Sequence, residues 1–239
     1  DQYLKYPLDL NIIVAFGQIL PESVIYHPKH HSVNIHASLL PKYRGASPIN
    51  WAIINGDKHT GITYQFITRK LDAGDIIRAD RIRIREDDTS ITLHNRLSKL
   101  AAENLPSVVR SIEENKFTRT PQEESEATYV TLLKKEDGKI EFSQPAEKII
   151  NRVRGLLPWP VAYCKLDGKT LKIFSAIKSD AFPSGRPGTI LDIVKGNGFI
   201  VECYGSCILV KEVQYEGSKR MGAYEFSLGH KGLKGKILN

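Results

Sequence analysis

The stretch that most constrains this chain runs from Ser32 to Ile49 and reads Ser-Val-Asn-Ile-His-Ala-Ser-Leu-Leu-Pro-Lys-Tyr-Arg-Gly-Ala-Ser-Pro-Ile. Val33 and Ile35 alternate with Asn34 and His36, the period of a β-strand. Asn34 and His36 therefore share a face, which sets an amide donor beside a titratable imidazole. Pro41 cannot continue a central strand, so the chain leaves the sheet over Ala37–Pro41. Lys42, Arg44 and Gly45 read as loop. Ser47 followed by Pro48 reads as an N-cap and first helical position, with Gly56 as the stop. Strand, polar pair, loop and helix in that order form a catalytic edge of an α/β sheet.

The neighbouring segments extend that sheet. Asp9–Gly17 is a near-continuous apolar run, which suits a buried parallel strand covered on both faces. Pro21–Ile25 reads as a short helix. Gly61–Thr68 alternates like a strand, and the loop from Arg69 to Asp75 follows it, with Gly74 giving that loop backbone freedom. Ile76–Arg85 alternates apolar with charged residues, as a half-solvated strand does. Asp88, Thr89 and Ser90 are candidate N-caps. Leu93, Leu97, Leu100 and Ala101 then recur at helical spacing, and Pro106 is expected to kink or split that helix before Ile112.

The motif Asn-x-His-x-Ser-Leu-Leu-Pro-x-x-Arg-Gly resembles the signature of the folate-dependent formyltransferases. In that family the Asn and His of the motif join an Asp from a downstream Leu/Met-Asp-Ala/Thr-Gly segment. Leu71-Asp72-Ala73-Gly74 fits that segment. The resemblance thus implies a catalytic trio of Asn34, His36 and Asp72. It implies 10-formyltetrahydrofolate as formyl donor, seated against Ser38, Leu39, Leu40 and Pro41, with Phe16 and Gly17 lining the pterin pocket. Asn34 would donate to an oxyanion, and His36 and Asp72 would manage protons. Which residue carries each proton stays open from the sequence. The resemblance also implies that the family's opening βαβ units precede Asp1, so the chain begins inside the fold.

Residues 116–136 mix Glu, Thr, Lys and Pro without apolar period and read as an exposed linker. The phrase Leu133-Lys134-Lys135-Glu136-Asp137-Gly138-Lys139-Ile140-Glu141-Phe142 resembles the linker-to-domain passage of the transfer-RNA branch of the family, as does Gly232-Leu233-Lys234-Gly235-Lys236 near the end. Ser143 is expected to cap a helix running to Gly155. The remainder reads as β: Val161–Leu166 and Thr170–Ala176 flank Asp167-Gly168, a strong hairpin signal. Thr189–Val194, Gly198–Cys203 and Cys207–Val213 follow. Short strands plus one helix suggest an OB-like open barrel. The expected architecture is α/β: a partial doubly wound, Rossmann-like catalytic domain over 1–115, the linker over 116–136, and a small OB-like β-barrel domain over 137–239.

Charge separates the two halves. Residues 137–239 carry 16 Lys or Arg against 10 Asp or Glu, while residues 1–115 carry 14 against 13. A basic back half favours a polyanionic partner. The resemblance makes that partner methionyl-initiator transfer RNA, met by Arg44 in the loop and by Lys148, Arg152 and Arg154, whose spacing puts them near one helix face. The alternatives are a formyltransferase for an amino-sugar nucleotide, which would not need the basic domain, and a non-catalytic nucleic-acid-binding fragment. No apolar run approaches the ~20 residues of a membrane span. The three cysteines, Cys164, Cys203 and Cys207, suit a reducing compartment, the last two as strand residues around a turn. The expectation is a monomer in the bacterial cytosol, or in an organelle matrix if a transit peptide precedes. His27, His30 and His31 lack a Cys or carboxylate cluster, so no metal site is expected.

Overall fold

The computed structural model describes residues 2–239. The chain divides into two compact units. The first takes residues up to Ala52, then Asp57–Asp87 and Thr92–Leu132; the second takes Ile53–Gly56, Asp88–Ile91 and Leu133–Asn239.

In the first unit, β1 (Asn11–Val14) runs parallel to β2 (Ser32–His36), with the short helix α1 (Glu22–Ile25) between them in sequence. After β2 come the two-residue strand β3 (Arg44–Gly45) and α2 (Pro48–Ile54). β4 (His59–Phe66) pairs antiparallel with β2, and β5 (Ile76–Arg83) antiparallel with β4, giving the order β1-β2-β4-β5. β2 is the well-covered strand: Val33 and Ser32 are fully buried, as is Tyr64 opposite Ile35. Among the described residues β1 pairs with β2 alone, and Val14 and Phe16 are 58% and 53% exposed.

α3 (Ser90–Glu113) buries Leu93, Leu97, Val108 and Ile112 along one stripe. It continues through Pro106 without splitting. Pro106 and Ala102, whose carbonyl loses its usual donor, are both exposed, so water can take the place of the missing amide. The stretch expected to be a loose linker is exposed but hydrogen-bonded throughout its middle. Thr120 exchanges both backbone bonds with Ile76, and β6 (Tyr129–Val130) pairs in parallel with β3.

The second unit begins with α4 (Ala146–Gly155), which buries Ile149 and Val153. Ser143 is not its cap. Pro145 holds the N-cap position, and the hydroxyl of Ser206 accepts from the Ala146 amide at 2.9 Å. β7 (Ala162–Leu166) and β8 (Lys169–Ser179) form the expected hairpin, with Asp167 and Gly168 both at positive φ, 50° and 79°. β9 (Ile190–Val194), β10 (Gly198–Cys203), β11 (Ser206–Tyr215) and β12 (Met221–Gly222) complete an antiparallel sheet in the order β7-β8-β11-β10-β9, with β12 on β11. α5 (Ala223–Gly229) buries Phe226, which stacks on His230. The last residues bridge the two edge strands: Gly235 and Lys236 bond to Ile190 of β9, and Asn239 exchanges two backbone bonds with Lys165 of β7. This closes much of the gap an open barrel leaves.

Candidate active site

The register of β2 against β4 sets the site. Asn34 lies opposite Gln65, and His36 opposite Thr63. The side chains of Asn34, His36 and Gln65 converge on the loop after β4, where Asp72 sits at a φ of 45°. Oδ1 of Asp72 accepts from the Gln65 amide at 3.1 Å and from the Asn34 amide at 3.3 Å. Oδ2 accepts from the backbone N–H of Gly45 at 2.8 Å and faces Nδ1 of His36 at 3.6 Å. The Asp72 side chain is 13% exposed and that of His36 7%. Three N–H donors in a nearly dry site fix the orientation of the carboxylate.

The other imidazole nitrogen decides the tautomer. Nε2 of His36 lies 2.8 Å from the carbonyl oxygen of Tyr43. A carbonyl only accepts, so Nε2 carries the proton. Nδ1 is then the nitrogen that exchanges protons, and it is the one facing Asp72. The loop that supplies Tyr43 is braced from below. Thr63 Oγ1 donates to the Ser38 carbonyl at 2.7 Å and accepts from the Leu40 amide at 3.1 Å, while Ser38 Oγ donates to the Lys42 carbonyl at 2.6 Å.

The four folate contacts expected at residues 38–41 move. Ser38 is fully buried and its hydroxyl is committed within the loop, so it cannot touch a ligand as the resemblance implied. Leu40 is 7% exposed; it lines a cleft of about 400 Å³ with Leu39, Pro41, Tyr43, Lys58 and Arg81, and none of Asn34, His36 and Asp72 lines that cleft. Phe16 and Gly17 lie elsewhere. Val14 registers with Ile35, so these two residues follow β1 at the same end of the sheet as His36.

Arg44 is the largest correction. Expected at the RNA, its side chain has no exposed surface. Its guanidinium donates to Gln122 Oε1, to Glu124 Oε2 at 2.9 Å and to the Tyr129 hydroxyl at 2.9 Å. Burial acts to lower its pKa, but the bonds to Glu124 and Tyr129 more than offset this, so the net shift is upward and the group stays charged. The expected face of α4 divides as well. Lys148 is exposed. Arg152 donates to the Asp137 carbonyl at 2.9 Å, and Arg154 to Asn151 Oδ1 and to the Asp88 carbonyl. Residues 152 and 154 are also about 200° apart around a helix, so they do not share a face.

Sequence reasoning missed Gln65, Gln122 and the Gly45 amide. Gln65 carried a signal: it alternates with Thr63 as the polar face of an otherwise apolar strand. Gln122 and Gly45 carried none, because their partners are 50 and 27 residues away in sequence.

Comparison with known proteins places this arrangement. A family profile described as formyl transferase matches residues 1–109, and one described as formyl transferase, C-terminal domain, matches residues 132–231. A methionyl-tRNA formyltransferase of Caldanaerobacter subterraneus subsp. tengcongensis is 44% identical over 241 residues, covering 99% of this chain and 77% of that protein. One of Staphylococcus epidermidis is 43% identical over 239 residues, covering 100% of this chain and 77% of that protein. Among solved structures, HypX from Aquifex aeolicus in complex with tetrahydrofolic acid superposes with a TM-score of 0.72 at 20% identity, over 95% of this chain and 40% of that one. WlaRD, a sugar 3N-formyl transferase, superposes with a TM-score of 0.67 at 22% identity, over 87% of this chain and 73% of that one. The two structural likenesses establish the fold. The identity to the curated relatives, carried across both units, establishes that the chain belongs to the methionyl-tRNA formyltransferase branch of the formyl transferase family.

Proposed function

We propose that this chain transfers a formyl group from 10-formyltetrahydrofolate to the amino group of methionyl-initiator transfer RNA, acting as a monomer in the bacterial cytosol. The observation that carries the reading is the Asp72 carboxylate, held by three N–H donors and facing Nδ1 of His36, in a chain similar over its whole length to methionyl-tRNA formyltransferases. The folate donor, when bound, supplies the activated formyl carbon. Asn34 has two amide protons, and Asp72 takes one at 3.3 Å; the second is available to the oxygen on which negative charge develops. Such a donor contributes roughly a hundredfold or more in rate. His36 cannot spend its Nε2 proton, which Tyr43 holds, so proton exchange in the site runs through Nδ1 and Asp72. Asp72 accepts the proton of the incoming amine, directly or through one water. Phe16 and Gly17, which follow β1 at the same end of the sheet as His36, supply the apolar end of the donor site. Among the described residues no helix is long and apolar enough to cross a membrane.

The acceptor is read from the second unit. Its basic excess suits phosphate contacts, with Lys148 as the exposed cation of α4. Neither the amino-sugar reading nor the non-catalytic one is favoured, since the curated relatives match across the basic unit as well as the site. The test is formylation of methionyl-transfer RNA by the protein and by Asp72→Asn, with an amino-sugar nucleotide as competing acceptor. Transfer to the RNA, lost by orders of magnitude in the variant, is the expected result. Near-normal turnover in Asp72→Asn, or preference for the sugar, would overturn the proposal.

A further inference from the structure

A chain of side-chain amides leads from the buried Arg44 to Asp72, and its direction is fixed. Nε and Nη2 of Arg44 both donate to Gln122 Oε1, each at 3.0 Å. A guanidinium has no acceptor, so this end of the Gln122 amide is unambiguous. Gln122 Nε2 must then face the other way. It lies 3.1 Å from Gln65 Oε1, 2.9 Å from the Asp72 carbonyl and 2.8 Å from the Gly74 carbonyl, two protons shared among three acceptors. That donation turns Gln65 so that its own Nε2 meets Asp72 Oδ1 at 3.1 Å. A group that only donates stands at one end and a carboxylate that only accepts at the other. Neither amide can flip without setting two donors or two acceptors face to face.

The stretch carrying Gln122 does not need this side chain to dock. Its backbone is already tied to the rest of the first unit by the paired bonds of Thr120 with Ile76, by Arg44 N–H to the Thr128 carbonyl at 2.8 Å, by Thr128 N–H to the Pro41 carbonyl at 3.2 Å, and by Ala46 N–H to the Val130 carbonyl at 3.1 Å. The Gln122 amide instead spends all its donors on Asp72, its loop and its neighbour.

We infer that Gln122 and Gln65 are positioning residues for Asp72, orienting its carboxylate toward His36, and that the stretch around Gln122 is part of the active site rather than a spacer. The inference rests on the reading of Asp72 as catalytic. Gln122→Glu keeps the shape but replaces the donor with an acceptor. It is expected to lower kcat by about 10- to 100-fold, the range a small misplacement of a catalytic group produces. The Michaelis constants for folate donor and RNA should stay within about threefold, since neither amide is asked to bind substrate. Gln65→Met should lower kcat similarly, and the double variant should be no worse than the poorer single, because both act through one carboxylate. Should Gln122→Glu not fold, Gln122→Met removes the donor without adding charge and is read the same way. Asp72→Asn is measured alongside. If it is inactive while the Gln122 variant keeps wild-type kcat, or if the two Gln losses multiply, the relay is refuted and the catalytic reading stands. If Asp72→Asn is active, the catalytic reading falls and the relay with it.

Discussion

Gly74 lies two residues after Asp72, and its replacement by Ala separates two explanations by sign. Were backbone conformation the only consideration, a glycine outside the left-handed region could be replaced by Ala, which would stiffen the unfolded chain and raise stability by about 0.4–1 kcal/mol. The structure gives another reason. The φ of Gly74 lies outside the left-handed region, and an added Cβ would stand 1.8 Å from the carbonyl oxygen of Phe66 and 2.8 Å from its carbon. Real Cβ contacts stay beyond 3.0 Å, so loop and strand must separate by about 1.2 Å. That separation is resisted from both sides. Phe66 N–H donates to the Asp75 carbonyl at 3.0 Å, and Ile67 N–H to the Ser32 carbonyl at 2.8 Å. Overpacking of this kind costs about 1–3 kcal/mol, enough to outweigh the unfolded-state gain. Because Asp72 rides on the same loop, a displacement near 1 Å should also lower turnover by about 100-fold. Urea unfolding and kcat at saturating donor and RNA measure the two effects. A variant at least as stable as wild type, with kcat within about twofold, would refute the steric argument.

Glu124 has its carboxyl held down to about 2 by hydrogen bonds to Lys70 and Arg44. The stability it contributes is complete above its ordinary value of 4.5 and is lost as pH falls from there through about 2. Glu124→Gln should therefore flatten the acid limb of unfolding in that window, modestly since Glu124 is half exposed; identical limbs would contradict the assignment. The three cysteines are buried, with Cys203 pushed up to about 12 chiefly by burial and Cys164 and Cys207 also raised, so native protein should resist alkylation at pH 8 and react fully in denaturant. Rapid labelling of any one would show that its strand opens. On α4, Lys148→Ala should reduce the salt slope of RNA binding by about 1, while Arg154→Ala should lower stability instead, through its lost bonds to Asp88 and Asn151. A stable Arg154→Ala with a flattened slope would return that residue to the RNA.

Much of the molecule was legible in local patterns. Asn34 and His36 share a face because a strand has period two, and Leu93 and Leu97 are buried because a helix repeats near 3.6. Asp167-Gly168 makes its hairpin turn because few other pairs hold positive φ twice. These are statements about residues a few positions apart, and any fold containing the segment must respect them. The sequence alone therefore determined the longer elements, the polar pair on β2 and, through its motif, the family. Tertiary structure decided what each polar group spends its hydrogen bonds on. Arg44 looked like a surface cation until Gln122, Glu124 and Tyr129, some 80 residues on, enclosed it. Ser143 looked like a helix cap, but the hydroxyl that serves came from Ser206. A buried donor or acceptor must find a partner, and the nearest one in space is seldom the nearest in sequence.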